Sequence, residues 1–115
     1  MTSGCIFCQI AGGERAAKVY YEDEHCLAFQ DVNPQAPTHI LVIPRRHLIL
    51  LNSALPEDEA LLGHLLRVAA QMAKEKGIQG TGFRVVINTN AAAGQSVFHL
   101  HLHLIGGRTM RWPPG

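Results

Sequence analysis

The sequence predicts an α+β chain, and three features carry that prediction. From Pro56 to about Lys76, Leu61, Leu62, Leu65, Leu66, Ala69, Met72 and Ala73 recur at helical spacing, the mark of a long helix with one apolar stripe. Thr38 to Ile43 is a nearly continuous apolar run, as expected of a central strand covered on both faces. Phe98 to Ile105 alternates: Leu100, Leu102 and Leu104 point one way, and His99, His101 and His103 the other. At 115 residues, 47% hydrophobic and 17% charged, the chain is expected to form one domain, 1–115, with a real core.

Taken in order, Ser3 to Gly13 reads as a short helix with Ser3 near its start and Gly12-Gly13 as its stop. Such a helix cannot stand alone, so Ile6, Phe7 and Ile10 must lie against a sheet or beside a ligand. Cys5 and Cys8, three apart, share one side of a helical turn. Lys18–Tyr21 and Cys26–Asp31 are strand-like runs joined by a polar turn, hence an antiparallel hairpin, with His25 solvated and Cys26 a small buried hydrophobe. Asp31 to Pro37 is a loop punctuated by two prolines, and Asp31 at its mouth is either a functional carboxylate or a loop cap. His39 is either hydrogen-bonded core or a member of an active site. Arg45 and Arg46 are expected to be solvated, and His47 is a competent ligand in a loop.

Glu57, Asp58 and Glu59 suit the positive end of the long helix, and Lys74, Lys76 and Gly77 its stop; His64 lies at the stripe's edge, structural or exposed. Phe83 to Asn88 is another strand, with Asn88 either capping a turn or facing a ligand. Thr89 to Ser96 is a loop of small residues whose amides can approach an anion closely, although no Walker pattern is present. Gly106-Gly107 ends the last strand, and the tail 108–115, with Trp112-Pro113-Pro114, is built to dock against something, such as the active site of a second subunit.

A net charge of +1 and a pI near 7.8 exclude a field that gathers nucleic acid or an anionic membrane, so any phosphate binding must be local. No basic-then-apolar start and no apolar run of about 18 residues is seen, which sets the expectation of a cytoplasmic chain without a membrane segment. Three cysteines make no disulfide framework. Cys5-x-x-Cys8 is metal-binding or redox-active, the redox reading being weakened because the pair precedes every strand.

Three histidines in register on one strand face are unlike an ordinary solvent face. His99 and His103 start about 13 Å apart at roughly 3.3 Å per residue, too far to share one metal at about 2 Å bonds. Either one pair binds a metal or the three have separate jobs, and the second reading is preferred.

The run His99-Leu100-His101-Leu102-His103-Leu104-Ile105 resembles the His-φ-His-φ-His-φ-φ signature of the histidine triad (HIT) superfamily. Asp31 to His39, Asn88-Thr89-Asn90, Gly94 to Phe98 and the tail from Gly106 to Gly115 are similar to its Hint branch, the purine nucleoside phosphoramidases. The resemblance implies a five-stranded antiparallel sheet with one long and one short helix, and a homodimer whose sheets join edge to edge into ten strands. It implies hydrolysis of adenosine or guanosine 5'-phosphoramidates through a nucleotidyl-histidine on His101. His103 and Ser96 would protonate the departing amine, with His39 supporting the imidazoles, and the amides of Gln95, Ser96 and Val97 after Gly94 would hold the phosphate oxygens. Asp31 would bind the ribose, Asn88 would be a pocket position, and Ile6, Phe7, Ile10 and Val32 would line the purine slot, with Trp112 contributed by the tail. The cysteines resemble those of zinc-containing bacterial members, which implies a structural zinc on Cys5, Cys8, His47 and His99 and no metal in the chemistry. The rival readings are dinucleoside polyphosphate hydrolysis, against which the Trp112 tail argues, a non-catalytic nucleotide sensor or scaffold, and a catalytic metal on the histidine row.

Overall fold

The computed structural model describes residues 4–115; the expectation that Ser3 opens the first helix falls on a residue outside them. The elements are α1 (Ile6–Ala11), β1 (Val19–Glu22), β2 (Cys26–Gln30), β3 (Thr38–Pro44), α2 (Glu59–Glu75), β4 (Phe83–Val86) and β5 (Leu102–Gly106). They form a five-stranded sheet in the order β1-β2-β3-β5-β4, every neighbouring pair antiparallel, as expected for an α+β fold with one long and one short helix.

Because successive side chains of a strand face opposite ways, β2 and β3 each feed two cores. On one face Ala28, Ile40, Val42, Leu102 and Leu104 pack under Leu65, Val68, Ala69 and Met72 of α2. On the other, Leu27, Phe29, Leu41 and Ile43 pack under Phe7 of α1. Central strand β3 is therefore buried from His39 to Pro44. Each large side chain so buried contributes about 1.5–3 kcal/mol.

The stripe of α2 differs from the expectation at one point. Leu66 is 49% exposed, and Val68 takes the core position instead. At about 100° per residue Leu66 rotates off the line through Leu65, whereas Val68, three residues on, returns to it. A tight turn, Pro56–Asp58, leads into the helix; the buried Asp58 accepts the Leu55 amide at 2.8 Å and pairs with Arg46 at 2.6 Å. These bonds, the Leu55 amide first, hold its carboxyl below the usual value. His64 is structural: its Nε2 lies 2.6 Å from Asp23 Oδ2, tying α2 to the hairpin turn.

Arg45 is not simply solvated, as expected, but donates to Asp23 O at 2.7 Å, Ala11 O at 3.0 Å and Glu22 Oε1 at 2.8 Å, clamping α1 to the hairpin. Strand β5 is also shorter than its alternation predicts. Its ladder begins at Leu102, because Leu100 N donates to Leu48 O at 2.6 Å and His99 turns to Pro44 O, following the chain beyond β3 rather than β4. The face alternation nevertheless persists from His99 onward. At the far end Gly106 leaves room for Ile78: a Cβ there would meet Ile78 Cδ1 at 2.5 Å, so that side chain would have to shift.

Candidate functional site

All three histidines of the row lie on the α1 side of the sheet, and the partners of each differ. Phe7 stands edge-on to both His99 and His101, with ring centroids 5.9 and 5.1 Å away.

His99 is fully buried, and its Nε2 lies 2.8 Å from Pro44 O, so that nitrogen carries the hydrogen and Nδ1 keeps its lone pair. That lone pair faces Cys5 Sγ at 3.3 Å, Cys8 Sγ at 3.4 Å and His47 Nδ1 at 3.2 Å; Cys8 Sγ and His47 Nδ1 are 3.2 Å apart. Bonds of about 2.0–2.3 Å at a tetrahedral angle separate zinc ligands by about 3.3–3.8 Å, so the four atoms fit a zinc shell with small adjustments. Burial, with His47 and His101 close by, keeps His99 in the neutral form a ligand needs. Cys5 caps α1 through the Cys8 amide, 3.4 Å from its Sγ, and this turn brings both thiols to one side.

His101 is buried, and its Nδ1 lies 2.8 Å from His99 O. Nδ1–H donates to that carbonyl, leaving the Nε2 lone pair available. Burial pushes its pKa below the ordinary imidazole value, outweighing the bond to His99 O and the charge of Asp31.

His103 meets β3. Its Nδ1 lies 2.8 Å from His39 Nε2, which is also 3.3 Å from Asp31 Oδ2. Gln35 N–H donates to His39 Nδ1 at 3.0 Å, so neutral His39 carries its hydrogen on Nε2 and His103 carries its own on Nε2. Burial is the main cause that lowers both, against the charge of Asp31; at His103 the neighbouring His101 and His39 add to it and bring the pKa to about 4. With His39 neutral at pH 7 and its Nε2–H given to His103, the Asp31 carboxylate at 3.3 Å is a charge beside a neutral ring rather than a salt bridge. Asp31 also caps its loop, accepting the Asn33 amide at 2.8 Å, which is one of the two roles the sequence left open.

A cleft of about 260 Å³ opens over this row. Ile6, Phe7, Ile10 and Val32 line it, together with Asp31, Ser96, Val97, His101 and His103. His39 stands one layer behind. Asn88, Gly94, Gln95 and Trp112 do not line it. Gln95 is buried and its bonds are spent on the loop: its amide donates to Asn90 O at 3.1 Å, its Oε1 accepts the Asn90 amide at 2.8 Å, and its Nε2 donates to Ile49 O and Val97 O at 3.0 and 3.2 Å. It shapes the loop that presents Ser96 and Val97. Trp112 is 81% exposed, with Arg84 5.9 Å from its ring.

Sequence reasoning missed Arg15, Ala16 and Ala17, which form one wall, and Phe29, Gln30 and Leu41 in the floor. The floor was within reach, since Phe29 and Leu41 follow from the period-2 alternation of β2 and β3. A wider opening of about 680 Å³ lies outside the metal-type cluster and shares Ile6, Ser96 and Val97 with the cleft. Among the described residues, no helix is long and apolar enough to cross a membrane.

The HIT domain family profile matches residues 12–110. A HIT-like protein of Synechocystis is 56% identical over 115 residues, the whole of both chains. A HIT family hydrolase structure from Legionella pneumophila superposes with a TM-score of 0.95 at 49% identity, covering 96% of this chain and 99% of that one. A zinc-bound histidine triad family protein from Mycobacterium smegmatis gives a TM-score of 0.80 at 37% identity, covering 94% and 78%. With the imidazole row, the antiparallel sheet and these matches in agreement, the chain belongs to the HIT domain family.

Proposed function

We propose that the chain is a nucleoside phosphoramidase of the Hint type, hydrolysing the P–N bond of purine nucleoside 5'-phosphoramidates. The observation that carries this reading is His101: its Nδ1–H is bound to His99 O at 2.8 Å, so its free Nε2 is a neutral nucleophile at the mouth of the cleft. The purine lies among Ile6, Phe7, Ile10 and Val32, and the two carboxylate oxygens of Asp31 accept the ribose hydroxyls. His101 Nε2 attacks phosphorus, and the departing amine takes a proton with help from Ser96 and from His103, whose Nε2–H faces the cleft. His39 holds His103 in that tautomer. Water then attacks the nucleotidyl-imidazole, which releases the nucleoside monophosphate and returns the free ring. The amides of Ser96 and Val97 stabilise charge on the non-bridging oxygens; that of Gln95 is already bonded.

Cys5, Cys8, His47 and His99 would hold zinc as a closed structural shell that fastens the start of α1 to the segment leading into β5. The cleft residues do the chemistry. The whole chain, 1–115, acts as one domain and pairs as a homodimer, the tail 108–115 carrying Trp112 to the cleft of the second subunit.

The test is turnover of an adenosine 5'-phosphoramidate. His101→Ala should lower it by at least about 10³-fold while AMP still binds. Near-normal turnover by that variant would overturn the assignment. Saturable AMP binding with no turnover by the unaltered chain would make it a sensor, and faster cleavage of a dinucleoside polyphosphate would make it the sibling hydrolase.

A further inference from the structure

We propose that Arg15 makes the cleft selective for 6-oxopurines, guanine or hypoxanthine, over adenine. The inference rests on the nucleotide reading above and concerns the base, which the expected lining of Ile6, Phe7, Ile10 and Val32 does not discriminate.

The polar side chains of the cleft fall into three groups. His101, His103 and Ser96 serve the phosphate, and Asp31 the ribose. Gln30 has its Oε1 turned to Tyr20, accepting the hydroxyl at 2.5 Å. Arg15 remains, the one Lys or Arg lining the cleft among the described residues, set in the wall with Ala16 and Ala17 facing the apolar slot. A few placed polar groups in an apolar cleft fix ligand orientation and specificity.

Arg15 is held there at both ends. The turn that closes α1, through Gly12 and Gly13 (φ +80°), folds the chain back so that Arg15 N donates to Gln9 O at 3.2 Å. Its Nε–H donates to Gln9 Oε1, also at 3.2 Å. With Nε committed, the guanidinium offers its two Nη groups as a planar pair of donors, and it has no acceptor.

That donor pair distinguishes the purines. Guanine and hypoxanthine present two acceptors side by side, O6 and N7; adenine presents N7 beside the N6 amino donor. Against adenine one Nη–H meets another donor and must turn to water. A bidentate contact at this exposed position is worth roughly 10-fold in affinity, the low end for such pairs.

The experiment measures equilibrium binding of AMP, GMP and IMP to the full chain and to Arg15→Leu and Arg15→Lys. Arg15 is a surface residue, so both variants should fold, checked by their circular dichroism. The expected result is that GMP and IMP bind the unaltered chain about 10-fold tighter than AMP. Arg15→Leu should bring the three together, and Arg15→Lys, which keeps the charge and loses the fork, should keep most affinity for AMP while losing most of the preference. The proposal is overturned by equal binding of AMP and GMP by the unaltered chain, by a GMP preference that survives Arg15→Leu, or by IMP grouping with AMP, which would place recognition at the guanine 2-amino group. An equal loss for all three nucleotides in Arg15→Leu also overturns it, since that is a contact to phosphate. Failure of every nucleotide to bind the unaltered chain would instead remove the cleft assignment itself.

Discussion

The two ends of the histidine row are built from the same side chain on the same face of one segment, yet they are finished differently. At the His99 end the ring is sealed: Nε2 is tied to Pro44 O, and Nδ1 faces two thiols and His47 in a closed group. At the His103 end the ring borders an open cleft, and Nδ1 accepts from His39. His101, between them, donates to a backbone carbonyl and keeps one nitrogen for the cleft. An imidazole's job is thus set by what occupies its other nitrogen, and here backbone carbonyls and β3 make that choice.

Substitutions can break this contrast end by end. Of the two ends, the larger effect on stability is expected at the sealed one. Cys5→Ser with Cys8→Ser should take bound zinc from one per chain to none, measured by elemental analysis, and lower the unfolding free energy by on the order of 3 kcal/mol. That is less than in zinc fingers, because the sheet has its own core. Zinc that survives both changes and is needed for turnover would move the metal into the chemistry. At the open end His103→Ala should keep zinc and lower turnover by roughly 10²-fold, the scale of one general acid; equal zinc loss in the two variants would erase the distinction.

Acid sharpens the comparison further. Folding lowers the His103 pKa to about 4 from the ordinary 6.5, so the unfolded chain binds more protons between those values. The contribution is complete above about pH 6.5 and is lost as pH falls toward 4. The urea midpoint should drop over that window, and His103→Asn should flatten the drop; an unchanged slope would contradict the assigned burial. The smallest effect belongs to Leu66→Ala, within about 0.5 kcal/mol because the side chain is half exposed, whereas Leu65→Ala, in the same helix, should cost about 2–5 kcal/mol.

How much of this was legible in the sequence follows the range of the physics involved. Period-2 and period-3.6 patterns report local geometry, so the hairpin, β3, α2 and the facing of the three histidines could be read directly. The rise of a strand and the length of a metal bond also showed that the three histidines could not share one metal. Long-range pairing could not be read. The late start of β5 depends on Leu48 and Pro44 drawing Leu100 and His99 away, and the burial of Gln95 depends on Ile49 O. Arg15 lay just past a predicted helix stop, and nothing in its own segment shows that the turn returns it to Gln9 and the cleft. Leu66 is a case where apolar identity outweighed phase. In the site, the family resemblance implied the cysteine and histidine cluster, but the hydrogen bonds that choose each tautomer come from backbone groups and from His39 and leave no mark on the triad's own residue identity.

The central claim is most directly tested by long-range proton–nitrogen NMR of the imidazole rings in the zinc-loaded chain. The expected spectrum has His99 bound to metal through Nδ1, and His101 protonated at Nδ1 with a bare, metal-free Nε2. A His101 nitrogen coordinated to zinc, or its proton resting on Nε2 at neutral pH, would contradict the account.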